Sequence, residues 1–359
     1  MRRSYLAVIT VIAAIATSCR SNRPVGIDSP QWNVNVRELQ GELLHADSII
    51  LNIRGLLPVD DCLFVHHGLN THEYSMYKIR HGSLVFAGNL IRHGNGPTEV
   101  NRARLHYLPE SEALVAVTYN IYGKVIVIPY GKGRDIFDEH SWRVSQNGPL
   151  TSSAGNITPV DTANLLLQNM LNDRIFATYG IGAEALMNLP IKYPDTSPPL
   201  PPLERSGFIY RLCLAKRHGK RQFVYSYSNG HFVRIFELDG NNVRNVKTIF
   251  EETPGYTLHG DKVARAGTTK FGLRASTSAN HIYIIDPKIV AGRRNEDIKR
   301  NGFPDGYSKE IYVCDWEGNP EVKYVLDRPV TYCAVDQAEQ YIYAATVEDE
   351  IVRFRLPNF

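Results

Sequence analysis

The chain has 359 residues, with 40 basic and 37 acidic side chains and a formal net charge of +3. A balance this even gives no electrostatic reason to expect nucleic acid as a partner, and none is predicted. Its five cysteines form no C-x-x-C pair, so the usual zinc-binding pattern is missing from the sequence. No cofactor and no metal ion is therefore expected.

The first residues have the layout of a secretory signal. Met1-Arg2-Arg3 is basic, and the apolar run over 5–15 is too short to cross a bilayer, which takes about 20 residues. Small residues then lead into Cys19, in an order that resembles a bacterial lipobox. This pattern predicts a lipoprotein signal peptide over 1–18 and acylation of Cys19. An ordinary signal peptide cut near a cysteine is the alternative.

Residues 19–33 follow as a lipidated cysteine and a polar, flexible tether. No acidic residue stands next to Cys19, so the aspartate that resembles an inner-membrane retention signal is missing. We therefore expect an outer-membrane lipoprotein facing the periplasm, with its acyl chains as the membrane contact.

From residue 34 to residue 359 the sequence predicts one all-β domain. Short β-branched or aromatic runs alternate with Asp-Gly and Gly-Asn turns, a pattern typical of antiparallel hairpins. These runs repeat at roughly 50 residues, a period typical of propellers. We place six units at 45–100, 101–150, 151–200, 201–265, 266–328 and 329–356.

The sixth unit contains sequence for only three strands, whereas an extra strand pattern at 34–44 precedes the first unit. Pairing of 34–44 with 350–356 would complete the last blade and leave no open edge. The prediction is a six-bladed β-propeller whose last blade is closed by an N-terminal strand. Two insertions, the Pro-rich 189–203 and the polar, basic 287–308, are expected to be loops.

Two stretches carry a family resemblance. Arg92-His93-Gly94-Asn95-Gly96-Pro97-Thr98-Glu99-Val100 resembles the G-x-G-P-x-E turn of TolB-like six-bladed propeller lipoproteins of Bacteroides-type bacteria, and 310–356 is similar to their closing blades. Thr98 and Val100 depart from the usual small and aromatic residues of that turn. The resemblance implies an architecture and a location; it implies no reaction.

In a propeller the loops between the second and third strands of each blade, and the connections between blades, lie on one face. That geometry gathers 66–73, 92–104, 190–203 and 286–308 into a candidate binding face. Its candidate residues are His66, His67, Arg92, His93, Asn95, Glu99, Arg102, Arg104, Arg293 and Arg294. Their charge favours an anionic ligand or partner. Ordinary solvated charges, offset by Glu73, Glu99 and Glu296, are the alternative.

Other side chains suggest chemistry more weakly. His66, His67 and His72 share one loop, but their spacing matches no metal motif. An axial metal site would need oxygen ligands from several inner strands, and residues near those strands are Asp60, Asp61, Asn101, Asp161, Asn280 and Asp336. Tyrosines such as Tyr225 and Tyr283 are expected to pack between blades. No catalytic residue is identified.

Three functions fit these observations. The first is an exported, lipid-anchored, non-enzymatic module that binds a protein or an anionic small molecule of the cell envelope. The second is a calcium-type lactonase or hydrolase with an axial site. The third is a purely structural envelope component. Cys62, Cys213, Cys314 and Cys333 are expected to be buried free thiols, although an exported protein could pair two of them.

Overall fold

The computed structural model describes residues 32, 34–67, 71–118, 123–146, 154–170, 172–182, 186–194, 199–260 and 262–357. The predicted signal peptide, Cys19 and the tether up to residue 31 lie outside these described residues. The described chain is almost entirely β-strand, as the sequence predicts.

The strands form four-stranded antiparallel units preceded by two single strands, β1 (Asn35–Leu39) and β2 (Gly41–Ala46). Unit one contains β3 (Ile53–Val59), β4 (Cys62–His67), β5 (His72–Arg80) and β6 (Ser83–Arg92). Unit two contains β7 (Ala103–Leu108), β8 (Ala113–Thr118), β9 (Lys124–Pro129) and β10 (Arg143–Gln146). Unit three contains β11 (Ala154–Pro159), β12 (Asn164–Asn169), β13 (Phe176–Gly180) and β14 (Met187–Asn188).

Unit four contains β15 (Leu212–Lys216), β16 (Gln222–Tyr227), β17 (Phe232–Asp239) and β18 (Asn242–Glu251), and a separate hairpin of β19 (Tyr256–His259) and β20 (Lys262–Arg265) follows it. Unit five contains β21 (Arg274–Thr277), β22 (His281–Ile285), β23 (Ser308–Asp315) and the first half of β24 (Pro320–Val335). Unit six contains the second half of β24, β25 (Tyr341–Thr346), β26 (Ile351–Arg355) and, from the N-terminal side, β2. The helical segments are α1 (Arg294–Asn301), a π-helix (Glu204–Ile209) and three 3₁₀ turns (Pro109–Ser111, Glu139–Ser141 and Ala291–Arg293).

Each unit packs face to face against the next, so the units are the blades of a ring. Buried clusters lie between blades one and two, two and three, three and four, four and five, and five and six. A further cluster, containing Leu44, Tyr343 and Ile351 of blade six with Leu63 and Val65 of blade one, joins the last blade to the first. A ring of radial sheets closed in this way is a β-propeller.

The second strand of each blade shows why the sequence reads as continuous apolar runs. Successive residues of a strand point to opposite faces, and here both faces are covered by neighbouring blades. In β4, Leu63 and Val65 pack against blade six, whereas Phe64 between them packs against blade two. All three side chains are fully buried. Polar residues are therefore displaced to the ends of these strands.

Ring closure differs in one respect from the prediction. Residues 41–44 of β2 pair antiparallel with β26, in the register Gly41↔Phe354 to Leu44↔Ile351, so the closing strand is confirmed. Residues 35–39 do not continue that pairing. They form β1, which lies parallel to 322–326 of β24 on the outside of blade five. The single predicted strand over 34–44 is thus two strands on neighbouring blades.

Two further segments depart from the predicted boundaries. The insertion at 287–308, expected to be a loop, contains α1, whose Asp297 is buried and accepts a hydrogen bond from the amide of Val290. Trp32 falls in the predicted tether, yet it is buried, with its ring stacked on Phe250 at 5.3 Å. The chain therefore contacts the propeller before the predicted domain start at residue 34.

Candidate functional site

A channel runs along the axis of the ring. Residues of all six innermost strands (β3, β7, β11, β15, β21 and the second half of β24) line a cavity of about 210 Å³ in its interior. One end of the channel carries the short turns between the first and second strands of each blade. The other end, which we call the mouth, carries the long connections 189–211, 252–273 and 286–307. Long loops on one end of a rigid scaffold commonly form a binding face.

At the mouth the channel widens into a cavity of about 810 Å³, which we call the mouth pocket. It is lined by side chains from several blades and from the connections between them: Asn52, Arg54, His66, His67, Glu73, His93, Asn101, Arg102, Ala103, Arg104, Asn156, Gln168, Met170, Ser206, Gly207, Arg211 and Tyr332. Four of these are arginines and one is a carboxylate.

The arginines stand at or next to the first residues of innermost strands. Arg54 belongs to β3, Arg104 to β7, and Arg211 directly precedes β15. Within the described residues, the side chains of Arg54 and Arg211 have no hydrogen-bond or ion-pair partner, whereas Arg104 donates to Asn156 Oδ1 at 3.3 Å. The guanidinium groups of Arg54 and Arg211 are therefore available to a ligand.

The one carboxylate is already compensated by the protein. Glu73 is buried, and its oxygens lie 3.0 Å from His66 Nε2 and 2.9 Å from His93 Nε2. The amide of Arg102 donates a further hydrogen bond to it. Burial by itself would raise the pKa of Glu73, but the hydrogen bonds from His66 and Arg102, with the nearby imidazoles, lower that pKa overall. The carboxylate is thus ionised and internally bonded, and the arginines dominate the field of the pocket.

Three residues that line the pocket have left-handed backbone conformations. Asn52, Arg102 and Tyr332 have φ values of +54°, +63° and +49°. Asparagine tolerates this region, but arginine and tyrosine rarely adopt it. Tyr332 lies in the irregular part of β24, between Thr331 and Ala334, where the pairing with β25 shifts register. Bulges of this kind redirect side chains near functional sites, and here the bulge lies at the mouth.

The π-helix forms one wall of the pocket and is tied to two blades. Gln168 Nε2 donates to the backbone oxygens of Ser206 and Tyr210, at 3.0 and 3.1 Å. Asn229 Nδ2 donates to the carbonyls of Phe208 and Ile209, which would otherwise be unpaired at the helix end. The π-helix therefore has a fixed position directly after the insertion 189–203, which was predicted to be extended and without strands.

Five of the predicted site residues line the mouth pocket: His66, His67, His93, Arg102 and Arg104. The structure places Arg92, Asn95, Glu99, Arg293 and Arg294 elsewhere.

Local contacts and local geometry explain why these five residues lie outside the mouth pocket. Arg92 precedes His93 on an extended segment and is exposed on the opposite side. Asn95 is exposed in the turn before Glu99, and Glu99 folds back to accept a hydrogen bond from the amide of Gly96 at 2.8 Å. Arg294 forms a two-bond ion pair with Asp305, at 2.9 and 3.0 Å, and Arg293 is exposed beside it.

Sequence reasoning missed Arg54, Arg211, Asn156 and Tyr332. In sequence each is a single polar or aromatic residue in or directly beside a strand, which is common in any β protein. The available signal was positional: Arg54 is the second residue of an innermost strand, and Arg211 directly precedes another.

The described residues contain no group of three or more His, Cys, Asp or Glu side chains that could hold a metal ion. Of the suggested axial oxygens, Asn101 lines the mouth pocket, whereas Asp60, Asp61, Asp161, Asn280 and Asp336 lie in turns at the opposite end. His67 bonds to Ser75 Oγ at 2.7 Å, and burial together with neighbouring histidines lowers its pKa.

The four cysteines that the structure describes are free thiols: Cys62, Cys213, Cys314 and Cys333. Of these, Cys62 and Cys314 are buried.

Within the part of the chain that the structure describes, no helix is both long enough and apolar enough to cross a bilayer.

The fold and the channel define the chain as a β-propeller. No protein-family model matches it, and no curated protein sequence does either.

Among solved structures the chain is similar to the C-terminal WD40 domain of Sif2, at 11% identity and a TM-score of 0.41 over 90% of this chain and 97% of that one. It is also similar to a chain of a mitotic checkpoint complex, at 10% identity and a TM-score of 0.45, over 88% of this chain and 94% of that one. Raptor of Chaetomium thermophilum matches at 12% identity and a TM-score of 0.40, over 83% of this chain and 22% of Raptor's length. The six interfaces and the shared channel establish the propeller independently of these similarities.

Proposed function

We propose that this chain is a non-enzymatic binding module that takes an anionic ligand at the mouth of its channel. One observation carries the proposal: four arginines converge on the mouth pocket, whose only described carboxylate is already bonded to His66, His93 and the amide of Arg102. Arginine binds carboxylate and phosphate groups through paired, charge-assisted hydrogen bonds. The ligand is an anionic small molecule or an acidic group of a protein partner.

The lining of the channel favours binding over metal-assisted hydrolysis. The described walls of the three axial cavities contain a single carboxylate, Glu73. A calcium site takes six to eight oxygen ligands, usually including several carboxylates. The hydrolase alternative therefore has no supporting observation among the described residues.

The proposal also places the module on a membrane. The lipobox-like sequence ending at Cys19 supports acylation there, and the lack of an adjacent acidic residue supports an outer-membrane, periplasm-facing position. The TolB-like motif around Gly94–Glu99 agrees with such a lipoprotein. Metabolic labelling with an alkyne fatty acid tests this part: wild type should be labelled, and a labelled Cys19→Ser variant would contradict it.

The binding proposal is tested by isothermal titration with inorganic phosphate, citrate and a hexaglutamate peptide. The full chain with Cys19→Ser, which blocks acylation, allows work without detergent. Arg54→Gln and Arg211→Gln should each weaken binding about ten- to a hundredfold, since a hydrogen bond to a charged group contributes roughly 1.5–3 kcal/mol. Because neither guanidinium group bonds to described residues, both variants should fold normally.

Arg293→Gln is the matched control, because Arg293 is exposed at the same end of the molecule but outside the pocket. It should bind each probe as the parent chain does. The proposal is wrong if none of the three probes binds, or if Arg293→Gln loses as much affinity as Arg54→Gln.

A further inference from the structure

The mouth pocket continues inward into a second cavity of about 240 Å³, which we call the lower cavity. Arg54, His66, Arg104 and Tyr332 line both spaces, so the two are continuous. A ligand held at the mouth therefore has access to the channel beneath it.

The wall of the lower cavity is somewhat less polar than the wall of the mouth pocket. The mouth pocket is lined mainly by charged and amide side chains. The lower cavity is lined by apolar residues of innermost strands, among them Leu56, Leu57, Leu105 and Leu214, together with the basic residues Arg54, His66, Arg104 and Arg274. Its described walls contain no carboxylate. The lower cavity thus presents cationic groups and apolar side chains to the same space.

Arg274 lines the lower cavity, and one nitrogen of its guanidinium group has no hydrogen-bond partner among the described residues. Its Nη1 donates to Thr331 Oγ1 at 2.9 Å, and its guanidinium carbon lies 5.7 Å from the centroid of the Tyr332 ring. Its Nη2 is buried and has no hydrogen-bond partner among the described residues. Buried donors are nearly always paired in folded proteins, so an unpaired one requires an explanation. An anionic oxygen bound at this level would accept from it.

We propose that the pocket binds a small amphiphilic anion. Its carboxylate or phosphate group lies among Arg54, Arg104 and Arg274, and its aryl or short alkyl group fills the lower cavity. This inference rests on the proposed function and adds the class of ligand. The size fits, because an apolar protein cavity of about 150 Å³ already holds a benzene ring.

The test is a chain-length series on the full chain with Cys19→Ser, titrated at constant ionic strength with acetate, butyrate, hexanoate and octanoate. Affinity should rise about fourfold for each buried methylene until the lower cavity is filled, and then level off. Hexanamide, which lacks the charge, should not bind. Comparison of hexanoate with hexyl phosphate identifies the preferred anionic group.

Ser276 lines the lower cavity and provides the variant. Ser276→Leu should remove the gain with chain length while acetate binding is unchanged, and Ser276→Ala, which adds no bulk, should keep that gain. If the anions bind with an affinity independent of chain length, the inference is wrong and the proposed function stands. If neither these acids nor phosphate, citrate and hexaglutamate bind, both are wrong.

Discussion

His281 is held between two carboxylates at the end of the propeller opposite the mouth. Its Nδ1 lies 2.8 Å from Glu339 Oε2 and its Nε2 lies 2.9 Å from Glu321 Oε2. Glu321 belongs to blade five and Glu339 to the first turn of blade six, so the imidazole links two blades. An imidazolium in this position donates a hydrogen bond to Glu339 and forms an ion pair with Glu321.

These contacts make part of the stability depend on pH. Burial alone would lower the pKa of His281, but the hydrogen bond and charge of Glu339, with the charge of Glu321, raise it above its usual 6.5. A raised pKa in the folded state stabilises the protein below the unfolded value, and this contribution is lost as pH rises through the folded value. Burial would raise the pKa of Glu339, but its hydrogen bonds to His281 and Ser278 lower it, so acid below about 4.5 also weakens the contact.

We therefore expect His281→Gln to be less stable than wild type at pH 6, with the difference shrinking by pH 9. Urea denaturation midpoints at the two pH values measure it. His45→Gln, at an exposed position on β2, is the control and should show little change at either pH. A His281→Gln deficit of equal size at pH 6 and pH 9 would contradict the assignment of charge to this imidazole.

At the residue scale, the sequence predicts which side chains are buried. It does not predict which side chains, distant in sequence, meet in one pocket. Phe64 and Tyr225 lie in apolar strand patterns, and both are fully buried between blades as expected. Arg54 and Arg211 are far apart in sequence, and only the ring brings them to one pocket. Arg294 shows the opposite error: its basic run predicted a free charge, but an ion pair with Asp305 holds it on its own insertion.

Among the elements, β2 completes blade six by pairing with β26. Gly41 lies directly against the core of blade six, where a Cβ atom would be 2.5 Å from Val352 Cγ2 and 2.9 Å from Phe354 Cε1. Both side chains are fully buried and cannot move freely. The contact requires glycine because of close packing between β2 and β26.

Gly41→Val should therefore displace β2 and destabilise the protein by about 1–3 kcal/mol, the usual cost of overpacking a core. Chemical denaturation followed by tryptophan fluorescence measures this loss. Gly267→Ala is the control, since a Cβ there would meet only the Cα of Gly292, at 3.7 Å. Equal stability of Gly41→Val and wild type would show that β2 does not close the ring through this contact.

Sequence patterns predicted that an N-terminal strand closes blade six, because the last unit visibly lacks a strand. They could not predict that 35–39 leaves it for blade five, because blade five already has four strands of its own and its sequence shows no missing strand. The same limit explains α1: the polar composition of 287–308 resembles a loop, and burial of Asp297 becomes visible only in the fold.

For the whole molecule, the ring determines which residues meet. Six interfaces fix the blades, so the ends of their innermost strands converge on one axis. The short turns lie at one end of that axis, and the long connections lie at the other, beside the arginines. This asymmetry supports the mouth as the binding end and predicts that substitutions in the short turns leave ligand binding unchanged.

Anomalous diffraction from crystals soaked in selenate tests the central claim most directly. We predict a selenium peak inside the mouth pocket, within hydrogen-bonding distance of Arg54, Arg104 or Arg211, and its loss in crystals of the Arg54→Gln/Arg211→Gln double variant. Selenate bound only at exposed arginines such as Arg293, with no peak among the pocket arginines, would contradict the account.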